Sequence, residues 1–147
     1  MAGREGGAAP FGADAEVEEL LRRLESCAIS PDEFGHREHL AVALVYVLGG
    51  DEEDARARMR GSILWLLKHH HIEEPVYHET ITDFWLRRVR SFAAAAAPGR
   101  PLHELANELC RLCANSRLVF DYYSKRLVDT DEARAGVVRP DLKPFDF

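Results

Sequence analysis

Long apolar runs are missing from this 147-residue chain. No stretch approaches the ~18 apolar residues that a membrane-spanning helix needs, and the apolar segment from Ala43 to Leu48 ends at Gly49-Gly50. Bases are outnumbered, 19 against 25 acids, and the formal charge of −6 argues against a general nucleic-acid or anionic-membrane role. The densest basic cluster, Arg87 to Arg90, is expected to be a solvated helix face. Cysteine is scarce too. Cys27, Cys110 and Cys113 do not suggest the disulfide framework of an extracellular domain. "CRLC" is a lone CxxC inside a helical pattern, whereas a redox motif wants a strand–helix setting and a zinc site wants a second ligand pair. These thiols are expected in the core. Also absent are a GxxxxGK[ST] phosphate loop, a GxGxxG after a strand and a Gly-x-Ser-x-Gly elbow, which counts against nucleotide-driven chemistry and serine hydrolysis. The opening "MAGREGGAAPFGA" has no apolar signal-peptide core, so residues 1–13 are expected to form a flexible tail and the protein to be cytoplasmic. No hairpin, strand pair or internal repeat is visible.

What remains is helical. With 46% hydrophobic and 30% charged residues, 14–147 reads as one domain with a real core. Asp14 is a plausible N-cap for a helix over 15–27, with Val17, Leu20, Leu21 and Leu24 at helical spacing. Ser30, Pro31 and Glu33 spell a capping box for a second helix that closes at Gly49-Gly50. Asp51 caps a third, running to about His70. Pro75 opens a fourth that continues to Pro98-Gly99, and Pro101 opens a fifth. "SRLVFDYYSKRL" is a short sixth helix or a continuation of the fifth. The tail "GVVRPDLKPFDF" is expected to lie extended, with Leu142, Phe145 and Phe147 as plugs. The fold class expected is all-α: a single-domain bundle of five to six helices with an extended C-terminal tail.

Histidines interrupt the apolar stripes. At 100° per residue His36 falls near the centre of the stripe of Leu40, Ala43 and Val47, and His39 lies about 60° to one side. On the fourth helix His78 heads a stripe continued by Ile81, Trp85, Val89 and Phe92. An imidazole buried without a partner costs about 1–3 kcal/mol, so each needs a hydrogen bond, water or a metal. One such histidine is ordinarily a satisfied core residue; three on inward stripes, two of them three apart, suggest a shared polar site. The ligand set expected for a divalent metal (iron or zinc) is His36, His39, His78 and Glu79, with His78 and Glu79 as catalytic residues. Tyr77, Trp85 and Tyr123 would line the site, although aromatics at this spacing are as well explained as core. Glu33 with His36 has the Glu-x-x-His spacing of di-iron sites, yet its capping role competes. Lys68 to His71 ends a helix, where histidines favour the carbonyl end. His103 is expected at the surface.

At "HREHL", "YHETIT", "DYYSKRL" and "RPDL" the chain resembles a group of small bacterial all-helical proteins of unassigned function, over residues 34 to 142. These carry a His-x-x-His helix and a Tyr-His-Glu-Thr-Ile-Thr segment. Gly35 departs from the pattern, which places a further histidine there. The resemblance implies no particular reaction, only that His36, His39, His78 and Glu79 belong together.

Three functions follow as expectations. The first is a metal-dependent enzyme acting on a small molecule, in which bound water becomes a nucleophile or iron admits oxygen. The second is a metal-free enzyme using His/Glu acid–base chemistry. The third is a helical partner-binding protein whose histidines are merely packed. A small-molecule substrate is the expected partner, with no nucleic acid and no membrane, and a homodimer is compatible.

Overall fold

Helices account for every regular element of residues 9–147, the part of the chain that the computed structural model describes. They are α1 (Asp14–Glu25), α2 (His36–Leu48), α3 (Glu52–His69), α4 (Glu79–Ala95), α5 (Leu102–Leu112), a 3-10 segment (Ser116–Asp121), α6 (Lys125–Val128) and α7 (Asp131–Ala135). The expected all-α, single-domain bundle is what is found. None of these helices is long and apolar enough to cross a membrane.

α2 is the hub. Leu40 through Leu44 are all buried, as is Tyr46, because α2 packs against α1, α3, α4 and α5. A helix buried on most sides needs apolar residues all round, which is why this segment carries no polar stripe. α3 and α4 are laid on it; α4 is clearly amphipathic, whereas α3 buries Ala55, Met59, Ile63 and Leu66 and leaves Leu64 and Trp65 exposed. The core so formed runs from Val17 and Leu24 on α1 to Leu105 and Leu109 on α5. Phe11 joins it: Asn107 holds both its main-chain groups at 2.9 Å, and Arg37 lies 4.0 Å over its ring. The packed body therefore reaches back to Phe11, into the stretch expected as tail; residues 1–8 of that stretch lie outside the described residues.

Three helix starts differ from expectation, each for a local reason. Ser30 and Glu33 do bond reciprocally (Glu33 Oε1 accepts from Ser30 N at 3.0 Å, and Ser30 Oγ from Glu33 N at 3.2 Å), but they close a single turn. α2 begins at His36, where Glu38 Oε1 accepts from Gly35 N at 3.1 Å. Pro75 does not open α4. The chain from Ile72 to His78 is irregular, and α4 starts only at Glu79 with the extended residue His78 as its cap. Asp14 lies inside α1, and its carboxylate instead accepts the N–H and ring Nδ1–H of His103 at 2.9 and 2.7 Å, which ties α1 to the start of α5. His103 is consequently a half-buried tether rather than a free surface group.

A second, smaller core lies against a neighbouring face of α4. Phe84 is fully buried among Tyr122, Tyr123, Phe145 and Phe147, with ring centroids 5.4–6.5 Å away. The C-terminal tail supplies two of these plugs. Leu142, expected as a third, is exposed at 56% and is held only by its N–H on the Tyr122 carbonyl at 2.9 Å. The basic run of α4 is also more than a solvated face. Arg87 Nε donates to buried Asp83 at 2.8 Å, Arg56 from α3 meets the other Asp83 oxygen at 2.7 Å, and Arg90 pairs with Glu52 at 3.1 Å.

Candidate functional site

Between α2, α3 and α4 the bundle does not close. It leaves a cavity of about 420 Å³, within the range of small-molecule sites. His36, His39 and Ala43 line it from α2, Met59, Ile63 and Leu66 from α3, and Ile81, Thr82 and Trp85 from α4. Phe34, Tyr77 and His78 complete the walls, with Ser116 at the edge. No aspartate, glutamate, lysine or arginine lines it among the described residues.

Each histidine reaches the cavity by a different route, and each satisfies a main-chain carbonyl. His36 stands in the first turn of α2 and its Nε2–H donates to the Cys113 carbonyl at 2.8 Å. That carbonyl ends α5, so the ring fills one of the vacant acceptor positions of a helix terminus. Trp85 meets the His36 ring nearly edge-on, with centroids 4.7 Å apart. His39 donates Nδ1–H to the Gly35 carbonyl at 2.7 Å and stacks on Phe34 at 4.0 Å. His78 is the N-cap of α4: its Nδ1 accepts from Ile81 N at 3.2 Å while Nε2–H donates to the Val128 carbonyl at 2.7 Å.

Because a carbonyl only accepts, these bonds set the tautomers. His36 is protonated at Nε2 and His39 at Nδ1, and each keeps one nitrogen without a protein partner among the described residues. The two are not equivalent. In His39 the lone pair is on Nε2, at the tip of the ring; in His36 it is on Nδ1, beside its own main chain. His78 has neither nitrogen left over. Burial pushes His39 below its ordinary value of 6.5, with the neighbouring His36 adding to the effect against the Gly35 carbonyl and Glu38. Its neutral form is the resident one at neutral pH.

Glu79 is adjacent to His78 in sequence but does not line the cavity. Its Oε1 accepts from Tyr77 OH at 2.8 Å and lies 3.5 Å from Arg60 Nε. Burial and this carboxylate push the Tyr77 phenol up, so it stays a donor. Of the four expected ligands, then, His36 and His39 share the cavity with free nitrogens, His78 is consumed by the main chain, and Glu79 serves Tyr77. Among the described residues no group of three or more His, Cys, Asp or Glu side chains could hold a metal ion. Tyr77 and Trp85 line the cavity as expected. Tyr123 does not: it is buried in the second core with its hydroxyl on the Val138 carbonyl at 2.8 Å.

Glu33 is an exposed turn-closing residue. Cys27 and Cys113 are buried, and Cys110 is half-buried with its thiol pushed up to about 11 by burial, far from a reactive thiolate. His70 caps the end of α3, and His71 follows with a positive φ of 59°, reversing the chain as expected for a helix end. Sequence reasoning passed over Phe34, Thr82 and the Cys113 carbonyl. Phe34 precedes the helix and carries no periodicity, and a main-chain acceptor leaves no trace in side-chain identity. Compared with protein-family models, with curated proteins and with solved structures, the chain matches none.

Proposed function

We propose that the cavity between α2, α3 and α4 binds a small organic molecule, and that His39 acts on it as a general base in metal-free acid–base chemistry. One observation carries this reading: His39 is held by Phe34 and the Gly35 carbonyl in the tautomer that leaves Nε2 unprotonated at the ring tip, in a cavity with apolar walls. A base must be both unprotonated and positioned, and burial with the Nδ1 anchor supplies both conditions. Tyr77 also lines the cavity; its O–H is donated to Glu79, so what its hydroxyl could offer a bound molecule is an acceptor.

Metal-dependent chemistry is a second reading, favoured by one feature. Both His36 and His39 are backed by carbonyls, as metal-binding imidazoles commonly are. Two imidazoles fall short of the three protein ligands usual for a catalytic zinc, so a metal here would draw a further donor from the bound molecule.

The test uses untagged full-length protein. A thermal-shift screen of small organic compounds is run with and without a strong chelator, then repeated on Ala43→Leu, which fills the cavity from α2. Stabilisation that survives chelation and disappears in the folded variant supports the first reading. Stabilisation unchanged by Ala43→Leu places the ligand elsewhere and overturns it. Stoichiometric zinc or iron(II) uptake that is lost in His39→Phe would transfer support to the second.

A further inference from the structure

The lining of this cavity constrains what could enter it, and the inference here rests on the reading above. We infer that the molecule the cavity takes is uncharged, has an apolar body, and carries a hydroxyl or N–H group that donates its hydrogen bond to His39 Nε2.

Charge restricts the guest first. Nineteen residues line the cavity and none bears a fixed charge. Removing an ionised group from water without a partner is heavily penalised, so a carboxylate, phosphate or ammonium placed among Leu40, Met59 and Leu66 would be strongly disfavoured. The neighbouring carboxylates are already engaged and do not line the cavity: Glu79 by Tyr77 and Arg60, and Glu38 by Arg37 and the Gly35 N–H. Nor does His39 stand as a ready cation, since burial holds it neutral.

Hydrogen-bond polarity restricts it next. The imidazole N–H groups of His36, His39 and His78 are all committed to carbonyls, at 2.8, 2.7 and 2.7 Å. What the rings offer a guest is an acceptor. Only His39 offers it at the outer end of the ring; the free nitrogen of His36 sits next to its own main chain, and His78 has none. A guest lacking a donor would displace water from that lone pair without replacing its bond, a loss that weakens binding by about tenfold or more.

Shape restricts it last. Phe34 backs His39, Trp85 lies against His36, and Tyr77 closes one side, so the polar point is framed by aromatic surfaces. Rings placed edge-on and face-on in this way favour a flat apolar body.

Three matched probes separate these features: 4-ethylphenol, its methyl ether 4-ethylanisole, and 4-ethylbenzoate. Their binding to the full-length chain is measured by ligand-observed NMR and calorimetry at slightly alkaline pH, where the phenol keeps its proton and the benzoate has lost its own. The expected order is the phenol first, with the ether about tenfold weaker and the benzoate weaker still. In His39→Phe, which keeps the stack on Phe34, the preference for phenol over ether should collapse to near parity; His39→Leu serves if the larger ring unfolds the chain. Because the readout is a ratio within one protein, a general loss of stability does not mimic it. Benzoate or anisole binding as tightly as the phenol overturns the inference, as does failure of all three while other screened compounds bind and are lost in Ala43→Leu; that last pattern leaves the small-molecule reading standing. Absence of any Ala43→Leu-sensitive ligand overturns both.

Discussion

α4 separates two interiors that look alike in sequence and differ in packing. Towards the second core it sends Phe84, whose fully buried ring meets five others, Trp85 among them. Ile81 and Trp85 stand between the two: both pack against the second core and both border the open space towards α2 and α3. The polar groups differ in parallel. On the second side the buried acceptors and hydroxyl are taken up: Thr80 Oγ1 donates to the Ala133 carbonyl at 2.7 Å, and Asp83 is bracketed by Arg56 and Arg87, with Arg56 Nε left buried and unpartnered among the described residues. On the open side His36 and His39 each retain a free nitrogen. Close packing and complete hydrogen bonding are what a structural core needs; a hole with an unused acceptor is what a binding site needs.

Mutations can break this contrast. Phe84→Ala should produce the largest effect, a loss of about 3–5 kcal/mol in urea denaturation, because the aromatic cage around it is too rigid to refill the space. Next comes His78→Ala. It removes the cap of α4 and strands the Val128 carbonyl, and should cost about 2–4 kcal/mol by the same assay. If His78 instead proves tolerant of replacement while compound binding is abolished, it belongs to the open side and the contrast as drawn is wrong.

A matched pair on α2 sharpens the comparison further. Ala41 and Ala43 are both buried, but only Ala43 lines the cavity. Ala41→Leu should overpack and destabilise by about 1–3 kcal/mol, while Ala43→Leu should change stability by less than about 1 kcal/mol. Equal losses would mean the cavity wall is as tight as the core.

The smallest effect is in pH dependence. Burial lowers His39, so as pH falls the unfolded chain binds its proton first. The stability that neutral His39 contributes is intact above its ordinary 6.5 and is lost as pH drops below that, towards its lowered folded value. Denaturation midpoints measured from neutral to mildly acidic pH should fall less steeply in His39→Phe than in the parent chain. An identical slope would show that His39 is not held neutral by its surroundings.

The histidines show how far a helical wheel reaches. The 3.6-residue period brought His36 and His39 to one face, and both do line one cavity. For His78 the same reasoning named the right location but not the capping role the ring performs. It treated Pro75 as a helix start, whereas the extended backbone at His78, with φ −135° and ψ 111°, turns the ring back to cap α4. Glu79 failed for a related reason: its partner is Tyr77, two residues away across that extended residue, a pairing that no helical spacing suggests.

By itself the sequence determined that the chain is helical, the cap at Asp51, the reciprocal Ser30–Glu33 bonds though not the single turn they close, the ends near Gly49-Gly50 and Pro98-Gly99, and the apolar character of α2. These follow from interactions within a few residues of one another. Tertiary structure alone decided which imidazole nitrogens are free, because the Cys113 carbonyl lies 77 residues from His36 and the Val128 carbonyl 50 from His78. It also decided that one side of α4 closes and the other does not. A cavity is a property of three helices meeting, and no single stretch of chain encodes the space they leave between them.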